Sequence, residues 1–170
     1  MDADAERDFA AFVASRSPAL FRTAMALTGH WQQAEDLLQV ALARSVRHWP
    51  KIRDGQPEAY VRTTMYRQYA SWWRSRGRRQ ELVTGDVPEI PQADHSGAVD
   101  QTLAVAAALT GLAPKSRAVL VLRYLEDRPT DEIAEILRCS PATVRSQISR
   151  ALARLRTLCP ELDPIPEAQP

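Results

Sequence analysis

The sequence predicts two small all-α domains joined by a flexible acidic linker. Three observations carry that expectation. Apolar residues recur at spacings of three and four along almost every periodic stretch. A segment rich in Pro, Gly and acid, residues 84–97, breaks the pattern. Charge falls into blocks, with basic stretches on both sides of an acidic one.

Taken in order, Phe9, Phe12 and Val13 share one face, as do Leu20, Ala24 and Leu27. Pro18 is read as the start of a new helix and Gly29 as a helix end. From Trp31 to Trp49 the residues Ala34, Leu37, Leu38, Ala41, Leu42 and Val46 form one apolar stripe, the mark of a second long helix. Pro50, Asp54-Gly55 and Pro57 mark a loop. Pro57 suits the first turn of a helix expected over about 58–76. Beyond the linker, helices are expected at 99–109, 114–127, 130–138 and 141–158. Pro160, Pro164, Pro166 and Pro170 make the last ten residues a tail expected to be disordered. The domain bounds are therefore 1–80 and 98–160, with the linker at 81–97 and the tail at 161–170.

The chain has 170 residues and a net charge of +1, which conceals the pattern that matters. Residues 61–80 carry six Arg and no acid, while residues 81–112 carry five acids and no base. Residues 113–160 return to a net +4. Each basic block can neutralise phosphates. The acidic start lacks the basic and apolar regions of a signal peptide, and no window is long and apolar enough for membrane insertion. A cytoplasmic location is expected. Cys139 and Cys159 lack metal-ligand or redox spacing, and His30, His48 and His95 are scattered. No catalytic residue, metal or cofactor is expected, and the chain is read as a non-enzyme.

The most informative unit lies at 130–158. Thr130 is read as a capping hydroxyl, followed by Asp131 and Glu132 in the first turn, where acids complement the helix dipole. Ile133, Ile136 and Leu137 face inward, and small Ala134 allows close crossing. Arg138-Cys139-Ser140 is a short turn. Ser140-Pro141 is a helix start: an N-cap followed by Pro in the first turn. Val144, Ile148, Leu152 and Leu155 make the buried stripe of the next helix. Thr143, Arg145, Ser146, Gln147, Ser149 and Arg150 lie off it. Two short helices and a polar second helix are the layout of a helix-turn-helix that reads the major groove. A solvated αα-hairpin is the competing reading.

The helix around 58–79 interleaves six Arg with Tyr60, Tyr66, Tyr69, Trp72 and Trp73. Arg can neutralise phosphate, and aromatic faces can stack on unpaired bases. Tyr66, Tyr69 and Trp73 also share one helix face, so part of this set is expected in the core.

Ala34-Glu35-Asp36-Leu37-Leu38-Gln39-Val40, the basic helix with Ser71-Trp72-Trp73-Arg74, and Leu112-Ala113-Pro114-Lys115-Ser116-Arg117 ahead of the helix-turn-helix occur in a recognisable order over about residues 5–158. Together they resemble a bacterial RNA polymerase sigma factor of the extracytoplasmic-function (ECF, group IV) type, similar to the SigE-like family of actinobacteria. The resemblance implies sigma region 2 at 1–80 and sigma region 4 at 98–160. It implies core RNA polymerase and promoter DNA as partners, and it admits an anti-sigma factor. Glu35, Asp36 and Gln39 would dock on the β′ clamp helices, while region 4 meets the β flap. Arg67, Trp72, Trp73 and Arg74 would bind and help open the −10 element. Thr143, Arg145, Gln147 and Arg150 would read the −35 element. Two positions depart from the family pattern. Arg67 stands where many relatives carry Asn, and Arg138 stands where Gly is common.

Two other readings compete. One is a helix-turn-helix regulator that acts without core polymerase. The other is a degenerate sigma-like module that sequesters an anti-sigma protein.

Overall fold

The computed structural model describes residues 3–80 and 108–160, with side chains over 3–75 and 108–160. The expected acidic linker, most of the 99–109 helix and the expected tail lie outside the described residues. Residues 108–110, the described end of that helix, are helical.

The elements run α1 (Ala3–Thr28), α2 (Trp31–Val46), α3 (Trp49–Ile52) and α4 (Pro57–Gln80). After the undescribed segment come α5 (Pro114–Leu120), a π-helical turn (Val121–Leu125), α6 (Thr130–Leu137) and α7 (Pro141–Leu158). Among the described residues there is no strand. α2 packs on α1 and α4, and α7 on α5 and α6.

Pro18 does not start a helix; it lies inside the 26-residue α1. Pro removes one N–H, so the Ala14 carbonyl loses its helical donor. Ala14 is exposed, which leaves that carbonyl open to water. The apolar residues on both sides of Pro18 hold the helix together. Phe9 and Phe12 each lie 5.0 Å from the Trp49 ring, and Leu20, Ala24 and Leu27 are fully buried. Tertiary packing has overridden a local signal for a new helix start. Gly29, as expected, ends the helix with φ +67°, a conformation that favours glycine.

Two further expectations are corrected. α2 ends at Val46 rather than Trp49, and Trp49-Pro50 opens the separate one-turn α3. Trp49 must turn inward against Phe9 and Phe12, and the break permits this. The single helix expected over 114–127 divides into α5 and the π-helical turn, in which the Glu126 N–H donates to the Val121 carbonyl at 3.1 Å. That turn leaves Tyr124 and Leu125 exposed.

The core is continuous. Leu37, Val61, Met65 and Tyr66 of the first domain belong to the same buried cluster as Val119, Leu122, Ile133 and Val144 of the second. Tyr66 is 1% exposed and Tyr69 is 6% exposed, so two of the interleaved aromatics are core residues. Burial and the adjacent Glu126 carboxylate push the Tyr66 phenol well above its ordinary range.

Candidate nucleic-acid interface

α6 and α7 form the helix-turn-helix. Thr130 is the first helical residue rather than the cap; Pro129 takes the cap position, with no side-chain bond. A Pro cap leaves the first turn to its acids, Asp131 and Glu132, which suit the dipole. The turn is made by Arg138 in the left-handed region, φ 56° and ψ 53°. The Cys139 N–H then donates to the Ala134 carbonyl at 3.0 Å, and the Arg138 N–H reaches Glu135 at 3.4 Å. These bonds close a Schellman-type end, which normally employs Gly. The next helix opens as its sequence indicates: the Thr143 N–H donates to Ser140 Oγ at 3.1 Å, with Pro141 in the first turn.

Val144, Ile148, Ala151, Leu152 and Leu155 anchor α7 in the core. Arg145, Ser149 and Arg150 consequently point to solvent, with Thr143 and Ser146 half-buried. Gln147 differs from the rest of its set. It is 9% exposed, and its Oε1 has no hydrogen-bond partner. The structure therefore leaves Arg145 and Arg150 exposed and Thr143 half-buried, and holds Gln147 inward.

On α4, Arg67 is exposed, while Trp72, Trp73 and Arg74 are half-buried. The Trp73 indole N–H is buried without a partner. Lys115 Nζ sits 6.0 Å from the Trp73 ring centroid, and Arg74 Cζ sits 5.5 Å from it, both within cation–π range. Arg74 Nη1 also donates to the Leu137 carbonyl at the end of α6, at 3.3 Å. The second domain thus lies against part of the basic helix.

On α2, Asp36 and Gln39 are exposed and Glu35 is half-buried. The opposite side, Ala34, Leu37, Leu38 and Ala41, is buried. Gln32 Nε2 donates to Asp36 Oδ1 at 3.3 Å, an intrahelical bond that leaves the carboxylate at the surface. Trp31, 66% exposed at the head of this helix, packs edge-on against Phe21.

Sequence reasoning missed the contacts between domains. Glu126 accepts from Arg62 Nη1 at 2.5 Å and from Thr23 Oγ1 at 3.3 Å. Arg62 also donates to Glu58 Oε1 through Nε and Nη2, at 3.1 and 2.8 Å. Burial works against the Arg62 charge, but Glu58 and Glu126 outweigh it and raise the guanidinium above its ordinary value. Arg117 is buried and donates to four carbonyls: Leu109, Thr110 and Leu112 of its own domain, and Leu27 of α1. Desolvation lowers its affinity for the proton. The Glu58–Arg62 spacing of four was a visible signal; nothing local links Arg62 to Glu126.

Two family models match the chain: Sigma-70 region 2 over residues 12–79, and Sigma-70 region 4 over residues 102–155. The chain is a member of the sigma-70 family of RNA polymerase sigma factors. The RNA polymerase sigma-E factor of Streptomyces coelicolor is 40% identical over 150 residues, covering 88% of this chain and 84% of that protein. The ECF RNA polymerase sigma factor SigL of Mycobacterium tuberculosis is 32% identical over 148 residues, covering 84% of each. Among solved structures, the sigma factor RpoE of Bartonella quintana, in complex with the anti-sigma factor NepR, has a TM-score of 0.65 at 26% identity. That match covers 92% of this chain and 99% of the RpoE chain.

The helix-turn-helix thus lies within the region 4 match of a sigma factor, and the region 2 match falls on α1–α4. The protein is an initiation factor of the ECF type, which binds core RNA polymerase and directs promoter-specific transcription. Among the described residues, no helix is long and apolar enough to cross a membrane. Among the described residues, no cluster of three or more His, Cys, Asp or Glu is placed to hold a metal ion.

Proposed function

We propose that this sigma factor divides its work among three surfaces. The acidic-amide face of α2, with half-buried Glu35 and exposed Asp36 and Gln39, docks on the β′ clamp helices of core polymerase. The basic helix α4, through Arg67, Trp72, Trp73 and Arg74, binds the −10 element and stabilises its melted strand. Region 4 contacts the β flap and reads the duplex −35 element through Thr143, Arg145 and Arg150, while Gln147, held inward, is left out of that set.

The observation that carries this reading is the separation of faces on α7. Its apolar stripe is wholly committed to the core, while Arg145 and Arg150 are exposed on the remaining surface. Arg in that position can bond guanine bidentately or meet phosphate. Fixing both domains on one polymerase raises the effective concentration of the second DNA contact. The polymerase supplies the chemistry, and the sigma factor supplies binding free energy and placement.

Run-off transcription with core enzyme and a genomic promoter pool tests the whole. Initiation should depend on this chain, and Asp36→Ala should abolish co-purification with core without altering helicity. Intact, folded protein that initiates at no promoter would overturn the reading. Initiation blocked by a NepR-like protein would identify an anti-sigma factor as a further partner.

A further inference from the structure

We propose that Glu126 and Arg62 form a latch that holds region 4 over the −10-reading face of α4, and that the free protein must open this latch before Trp73 and Arg74 can engage DNA. The proposal rests on the assignment of those two residues to −10 contacts.

The latch spans 64 residues of sequence and joins the end of the π-helical turn to the second turn of α4. The pair is well shielded, with Arg62 17% and Glu126 10% exposed at the side chain. Thr23 on α1 donates a second bond to the same carboxylate oxygen, so Glu126 is gripped by two helices of region 2. Around it, Arg117 reaches the Leu27 carbonyl, Arg74 reaches the Leu137 carbonyl, and Lys115 lies over Trp73. A Cβ added at Gly29 would meet the Thr110 side chain at 2.2 Å, so the two domains approach each other closely here as well.

Two features lower the polar cost of opening, which the shared apolar core opposes. The first is how the arginines are paired. Arg62 keeps both bonds to Glu58 when Glu126 leaves, because Glu58 sits four residues earlier on the same helix. Arg117 keeps three carbonyl partners in its own domain when Leu27 leaves. Separation therefore strands no buried charge, the event that makes most buried ion pairs costly to break. The second is that closure carries its own penalty. The Trp73 indole N–H is buried with no acceptor in the closed form. Opening would return that donor to water or to a nucleic-acid acceptor. A ligand that binds only the open form will shift such an equilibrium by mass action. Core polymerase and opened promoter DNA are ligands of that kind.

The experiment is small-angle scattering of the free full-length chain, beside anisotropy with a single-stranded oligonucleotide from a promoter recovered with the holoenzyme. Wild type should have a radius of gyration near the ~15 Å of a compact chain of this length. Glu126→Arg should raise it by about 4 Å and tighten oligonucleotide binding about ten-fold, with helicity retained. The double reversal, Arg62→Glu with Glu126→Arg, should restore both values. Should E126R fail to fold, Glu126→Gln removes the charge alone and should move both readouts part of the way. An extended wild type, or an E126R protein as compact and as weakly binding as wild type, would overturn the latch. Scattering needs no DNA, and run-off transcription needs no closed free state. Failure of the latch and failure of the −10 assignment are thus distinguishable.

Discussion

Helices α4 and α7 are both rich in Arg and both carry residues assigned to DNA, yet they handle their faces differently. α7 is cleanly two-sided: Val144, Ile148, Ala151, Leu152 and Leu155 are buried, and Arg145, Ser149 and Arg150 are exposed. α4 is not. Its Tyr66 and Tyr69 are core, its Trp73 is covered by Lys115, and its Arg62 and Arg74 contact the second domain. Mixed Arg and aromatic composition therefore marks two different things on α4. One is a candidate DNA face, and the other is an internal docking face for region 4.

The difference predicts where substitutions will act. The largest effect belongs to neither helix but to the joint between the domains. Arg117→Met should cost about 3 kcal/mol in chemical denaturation, because four carbonyls lose their donor. Next, on α4, Trp73→Ala should cost about 2 kcal/mol of stability in addition to any loss of promoter opening. A thermal midpoint equal to wild type would make Trp73 a pure DNA contact and would erase the contrast with α7. On α7, Arg145→Ala should leave stability within about 0.5 kcal/mol. It should lower −35 affinity by about 1–3 kcal/mol, in a base-dependent way if it reads a base edge and with a shallower salt slope if it meets phosphate.

Smaller effects sharpen the turn that sets α7 in place. Ser140→Ala should cost about 1 kcal/mol through loss of the cap to Thr143. Arg138→Gly should do the reverse, raising stability by about 1 kcal/mol, since φ 56° strains a residue with a Cβ. At alkaline pH, a pH titration of stability should show the contribution of Tyr66. Its folded-state phenol is raised above the unfolded value of about 10, so its stabilisation is complete below that pH. The stabilisation is lost as pH climbs further, and Tyr66→Phe should flatten that loss.

Sequence alone determined the helical content, the α7 cap, the buried stripes of α2 and α7, and the order of sigma motifs. Each is local. A period of 3.6, a Ser-Pro start or a seven-residue motif is complete within a few turns of chain. Pro18 shows the limit of such signals, because Phe9, Phe12 and Trp49 outweighed it from outside its own turn. Only the tertiary structure decided which aromatics of α4 are core, that Gln147 faces inward, and that Glu126 closes on Arg62 and Thr23. The last of these depends on residues from separate domains. No periodicity along one helix records what another domain will place against it.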